Sequence, residues 1–187
     1  VVQRVVMFAV RPLIGVSIAI QPLLDFNYGA HLFERVKKTL WYGIFGATGI
    51  GLALWALVHL FPEQIVGFFG ITNESLRDFT VFALKVQLLM LPFSGVQIVG
   101  SNYFQATGLP LKSIFLSLTR QILFLVPLLI VLPMVLPSWF PQFVSLDALY
   151  FATPAADFLA IFTTVVFIVL EMGRLKKLES GELKAKF

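Results

Sequence analysis

Two residues of opposite charge stand deep inside long apolar stretches of this sequence, and both have the chemistry to handle ions. Asp157 falls nine residues after Ala148, near the middle of an apolar run, where a short carboxylate cannot reach water along its own stem. A charge at such a depth in a bilayer marks an ion or substrate path, a proton relay or a paired structural contact. Tyr150, Thr153, Ala160 and Thr164 share its helix face at spacings of three and four. That stripe reads either as the wall of an aqueous cavity or as a structural hydrogen bond to a neighbouring helix. Arg120 lies eight residues past Lys112, which at 1.5 Å per residue puts it about 12 Å into its own run. Its stem can carry the head only part of the way back. Lys85, six residues after Phe79, is shallower and can reach an interface.

Uncharged polar residues extend the pattern. Gln87, Ser94, Gln97, Ser101 and Gln105 form a stripe broken by Pro92 and Gly95, and Ser113, Ser117, Arg120 and Gln121 form another. Earlier in the chain come Arg11-Pro12 and Gln21-Pro22, with Arg11, Gly15, Ile18 and Asp25 on one face. Polar residues can glue helices together. Three helices that each present one polar face instead predict a shared interior, and repeated prolines are typical of membrane helices that bend around a path.

Other chemistries are excluded. The chain has no Cys, hence no disulfide, thiolate metal site or Cys nucleophile. His31 and His59 have no partners at metal-ligand spacing, so no metal site is expected. No phosphate-cradling Gly loop, Ser elbow or His-Glu helix pair is present, so no enzyme and no cofactor are expected. No basic stretch is interleaved with stacking aromatics, which argues against nucleic acid as a partner.

The elements that position these residues follow from hydropathy. Of 187 residues, 58% are hydrophobic and 13% charged, with a mean hydropathy of +0.90; soluble domains run near half apolar and about a quarter charged. Five windows are long enough for the roughly 20 apolar residues that cross a bilayer: 5–24, 39–61, 79–104, 113–136 and 148–170. This predicts an all-α, polytopic membrane bundle whose main partner is lipid. In the second window Gly43, Ala47 and Gly51 recur every four residues, with Gly49 and Ala53 one stripe over, as in closely packed helices. The segment 65–71 is apolar but too short to span, and is expected at the outer interface.

Loop charge sets the orientation. Arg35, Lys37, Lys38, Lys112, Arg174, Lys176, Lys177, Lys184 and Lys186 fall on one side of the five crossings and Arg77 on the other, nine against one. The positive-inside rule then puts residues 174–187, a basic tail, in the cytoplasm and Val1 outside. An outside N-terminus with no signal peptide implies a preceding helix.

The stretch Gly15-Val-Ser-Ile-Ala-Ile-Gln21-Pro22-Leu-Leu-Asp-Phe-Asn27-Tyr28-Gly29-Ala30, followed by Arg35-Val-Lys37-Lys38, resembles the C-terminal-lobe signature of bacterial MATE (multidrug and toxic compound extrusion) exporters. So does Pro92-Phe-Ser-Gly-Val-Gln97-Ile-Val-Gly-Ser-Asn102-Tyr-Phe104-Gln105-Ala-Thr-Gly108 with the Ser117-Leu-Thr-Arg120-Gln121 after it. The resemblance covers essentially the whole chain. It implies most of one six-helix lobe, spanning residues 1–173, of a transporter with two such lobes. It further implies a cell membrane location, an N-terminal lobe as partner, and export of bulky cationic or aromatic drug-like compounds in exchange for H+ or Na+. On that reading Asp157, Arg120, Gln97, Gln21, Gln121, Ser94, Thr153 and Arg11 are the pathway candidates on this lobe. Asp25 departs from the Gly expected before Phe-Asn-Tyr-Gly-Ala. The third span has Lys85 and Gln87 where some Na+-driven members carry an acid. Two other readings share the architecture or the composition: a lipid-linked oligosaccharide flippase, which would favour a more cationic cavity, and a helical scaffold, which leaves Asp157 unexplained.

Overall fold

The computed structural model describes residues 1–71, 73–139 and 145–180; the tail lysines Lys184 and Lys186, and residues 140–144 of the fourth loop, lie outside them. Among the described residues every regular element is helical: α1 Val2–Gly29, α2 Phe33–Leu60, α3 Pro62–Phe68, α4 Glu74–Gln87, α5 Leu91–Ala106, α6 Pro110–Leu118, a π-helical segment Thr119–Leu125, α7 Val126–Trp139 and α8 Ser145–Glu179. Among the described residues four helical runs are long and apolar enough to cross a membrane, and the bent pair α4 and α5 makes a fifth where it is counted as one span. The all-helical class expected from hydropathy is what the fold has, and the five expected crossings correspond to these four runs and the bent pair.

The elements differ in detail from the apolar windows, for physical reasons. The third window is two helices meeting at 45° rather than one rod. Pro92 has no amide to donate to Leu88 O, so the ladder breaks there. The chain turns through tighter bonds, Leu89 N to Val86 O at 3.2 Å and Leu91 N to Leu88 O at 3.1 Å. In the fourth window the backbone widens to π geometry over Thr119–Leu125, just before Pro127, whose missing amide removes the α-type donor to Leu123 O. By contrast α1 runs unbroken through Pro12 and Pro22. α8 continues past Arg174 to Glu179, so the first part of the basic tail is helical. The apolar segment 65–71 contributes most of α3, a single short helix of seven residues.

α5 is the centre of the bundle, packed against α1, α2, α6 and α8. Against α2 it brings backbone close to backbone. A Cβ placed on Gly95 would lie 2.9 Å from Ala47 Cβ and 3.0 Å from the backbone at Ala47 and Thr48, and one on Gly51 would lie 2.8 Å from Leu91 O. The Gly43-Ala47-Gly51 stripe is thus the packed seam. Gly49 has nothing within 4 Å, and with Ala53 it faces outward. α4 begins with a side-chain cap, Asn73 Oδ1 accepting from Leu76 N at 3.1 Å. Asn73→Ala is expected to cost about 1 kcal/mol of local helix stability and to speed hydrogen exchange at the Leu76 amide. Unchanged exchange there would mean the cap contributes nothing.

Candidate functional site

The rotation fixed by Gly95 against α2 turns Ser94 and Gln97 toward α8, where Asp157 sits. Asp157 is 6% exposed, and the Arg120 Nε donates to its Oδ1 at 2.7 Å. The two charges that sequence periodicity places separately on two helices are one ion pair between the π segment and α8. Next to it is a narrow cavity of about 50 Å³ whose polar lining is Gln87, Ser94, Gln97, Arg120, Thr153 and Asp157. That is room for ordered water but not for a drug-sized compound.

Gln97 and Arg120 also line a wider open groove of about 340 Å³, together with Ser101, Asn102, Gln105, Ser117 and Gln121. Gln105 continues into a third concavity of about 410 Å³ with Gln21, Pro22 and Asp25. The three spaces share residues end to end, so a polar track runs along α5 from Asp157 to the C-terminal half of α1. Hydroxyls hold its middle: Ser101 Oγ lies 3.3 Å from both Ser113 Oγ and Ser117 Oγ. Asn102 Nδ2 donates to Ser17 O at 2.7 Å and fixes α1 to α5.

Seven of the eight sequence candidates, Asp157, Arg120, Gln97, Ser94, Thr153, Gln121 and Gln21, line this track. Arg11 does not; it lies on the exposed face of α1 and lines none of the three spaces. Thr164, on the same stripe as Asp157, is buried and satisfies its hydroxyl on Ala160 O at 2.8 Å. A concavity of about 470 Å³ at the α1–α2 turn, flanked by Glu34, Arg35 and Glu179, is wider but contains none of these residues. The buried ion pair and the shared polar lining, rather than width, mark the site.

One functional-looking cluster was missed by the sequence reading. Glu171 is 1% exposed and accepts from Lys112 Nζ at 2.8 Å and Arg174 at 3.1 Å. Its signal was present: Thr164, Ile168, Glu171 and Leu175 continue the Asp157 stripe at the same spacing, and all are buried. No group of three or more His, Asp or Glu residues that could hold a metal stands among the described residues.

In comparison with known proteins, no curated sequence matches the chain. Among solved structures it is similar to a multidrug resistance MATE family transporter of the MOP superfamily in its inward-facing conformation, at 20% identity and a TM-score of 0.82, covering 94% of this chain and 39% of that one. The outward-facing conformation of such a transporter is matched at 20% identity and a TM-score of 0.80, covering 94% and 38%. A MOP-superfamily transporter from Pyrococcus furiosus, described as having a binding pocket of reverse polarity, is matched at 20% identity and 0.81, again over 94% and 38%. The chain thus spans under two-fifths of the length of these structures, and the likeness establishes the fold. The family itself is fixed by sequence: the MatE pattern matches residues 1–131, well over half of the chain, which therefore belongs to the MatE family of transporters rather than to any class of enzyme.

Proposed function

We propose that residues 1–173 act as the C-terminal lobe of a cation-coupled antiporter in the cell membrane, exporting bulky cationic or aromatic compounds against H+ or Na+. The second lobe is its obligatory partner, and residues 174–187 form a basic cytoplasmic end. The observation that carries the reading is the polar track, which joins a buried intramembrane ion pair to an open groove on one side of the bundle. Some of these amides and hydroxyls glue helices together, but a line of them that runs from a buried ion pair into an open groove favours a path for water or cargo. Support for movement as a unit comes from the likeness to both conformations, since the chain fits the inward- and outward-facing structures about equally, at TM-scores of 0.82 and 0.80. Support for the orientation comes from the gathering of Lys37, Lys112 and Arg174 at one end through Glu179 and Glu171.

Asp157→Ala, Arg120→Ala and Gln97→Ala in the full transporter are each expected to slow export of a fluorescent organic cation by about tenfold, equivalent to about 1.4 kcal/mol. The check is dye retention in cells at matched membrane expression. Wild-type rates in all three would remove the track from the pathway.

A further inference from the structure

We infer that the Arg120 guanidinium is the docking point for a carboxylate on the transported compound. The inference rests on the exporter reading above and adds a chemical class to it. Arg120 and Asp157 differ in what they show to the groove. The arginine side chain is 42% exposed and the aspartate 8%, so an entering compound meets the guanidinium, with the acid behind it. Asp157 takes Nε, and it is the hydrogen-bond partner of the guanidinium among the described residues. Anchoring at Nε holds the plane of the fork and leaves its two terminal nitrogens, on a side chain that lines the groove, able to take both oxygens of a carboxylate in parallel.

The rest of the lining agrees. Organic cations are held by aromatic faces or by accessible carboxylates. Although the chain has 20 Phe, 4 Tyr and 3 Trp, among the described residues no aromatic side chain lines any of the three connected spaces. The acids there are Asp157, already held by Arg120, and Asp25 at the far end. Around Arg120 stand Gln97, Ser101, Ser117 and Gln121. Amides and hydroxyls donate as well as accept, whereas a guanidinium only donates. The wall around Arg120 is therefore biased toward donors and favours acceptor oxygens on a bound compound. A cargo with a positive body would carry its carboxylate to this lobe and have its cation read elsewhere, which makes the preferred compound a zwitterion.

The test uses the full transporter in phosphatidylcholine vesicles and two probes, a carboxyrhodamine with a free carboxylate and the same dye as its methyl ester. The readout is the ratio of kcat/KM for acid over ester, compared between wild type and Arg120→Gln/Asp157→Asn. The double substitution leaves no charge stranded in the bundle, and folding is checked by monodisperse elution. The expected result is a fall in the ratio of about tenfold, through KM for the acid. An unchanged ratio with both dyes transported overturns the inference and leaves the exporter reading standing. A wild-type protein that moves neither dye overturns both. Repeating the assay with one-third anionic lipid separates two sources of the same chemistry. A ratio that keeps its dependence on Arg120 supports a cargo carboxylate; one that loses it assigns the arginine to lipid phosphate and overturns the proposal.

Discussion

Gly95→Val is expected to lower the melting temperature of the bundle sharply. The new Cβ alone would stand 2.9 Å from Ala47 Cβ and 3.0 Å from backbone atoms of Ala47 and Thr48. Backbone atoms in the middle of a helix cannot step aside as a side-chain tip can, so α5 has to move away from α2. Ala47 is fully buried, and across the same seam Gly51 meets Leu91 O. Separation of the helices would therefore open the whole seam, in a setting where close packing is what holds membrane helices together. Overpacking of well-filled interiors costs typically about 1–3 kcal/mol, and this site combines two added methyls with a rigid backbone wall, so the upper end or beyond is expected. Gly49→Ala is the matched control. Nothing lies within 4 Å of its Cβ position, and helix propensity favours alanine by up to about 1 kcal/mol. Thermal melting of the detergent-purified protein, followed by loss of monodisperse elution, distinguishes the two. A Gly95→Val protein that melts with the wild type would mean that α2 and α5 are not seated as described.

That seam also explains how much of the site was legible beforehand. The faces were legible, because periodicity within one helix is a property of sequence: Ser94, Gln97, Ser101 and Gln105 do share a side of α5, and Thr153 and Asp157 share one of α8. What pairs with what was not. Arg120 and Asp157 are 37 positions apart in the chain, on the π segment and on α8, and neither the π widening nor the way α5 seats against α2 leaves a periodic trace. Spans read from hydropathy also end where charge begins, not where the helix ends. Arg174, Lys176, Lys177 and Glu179 are sound helix formers, so α8 runs on through them. Stopping the stripe at the edge of the apolar window hid Glu171, the most buried acid among the described residues.

Glu171 gives the second large effect, and its size depends on whether one partner or both are removed. Its carboxylate is 1% exposed, with Lys112 on one oxygen and Arg174 on the other, while those two side chains keep 37% and 30% of their surface. Lys112 also lies 5.3 Å from the centre of the Phe104 ring. Removing one cation leaves the acid with the other, so Lys112→Ala and Arg174→Ala singly are expected to lower the melting temperature only slightly. Together they strand a buried carboxylate, and breaking a buried pair in this way costs roughly 3–5 kcal/mol. The double variant should therefore lose far more than the sum of the singles, a coupling that a thermodynamic cycle reads directly. Adding Glu171→Leu should restore most of the loss, because the penalty lies in the stranded charge and not in the absence of the bonds. Additive singles, or no rescue, would show that the three residues do not form a buried unit. Because Lys112 precedes the π segment on α6 and Lys37 on α2 reaches Glu179, the cluster ties α8 to two other helices at one end of the bundle. Those ties join the helices that carry Arg120 and Asp157 at one end of the bundle, so under the proposed function the triple variant should recover stability without fully recovering export.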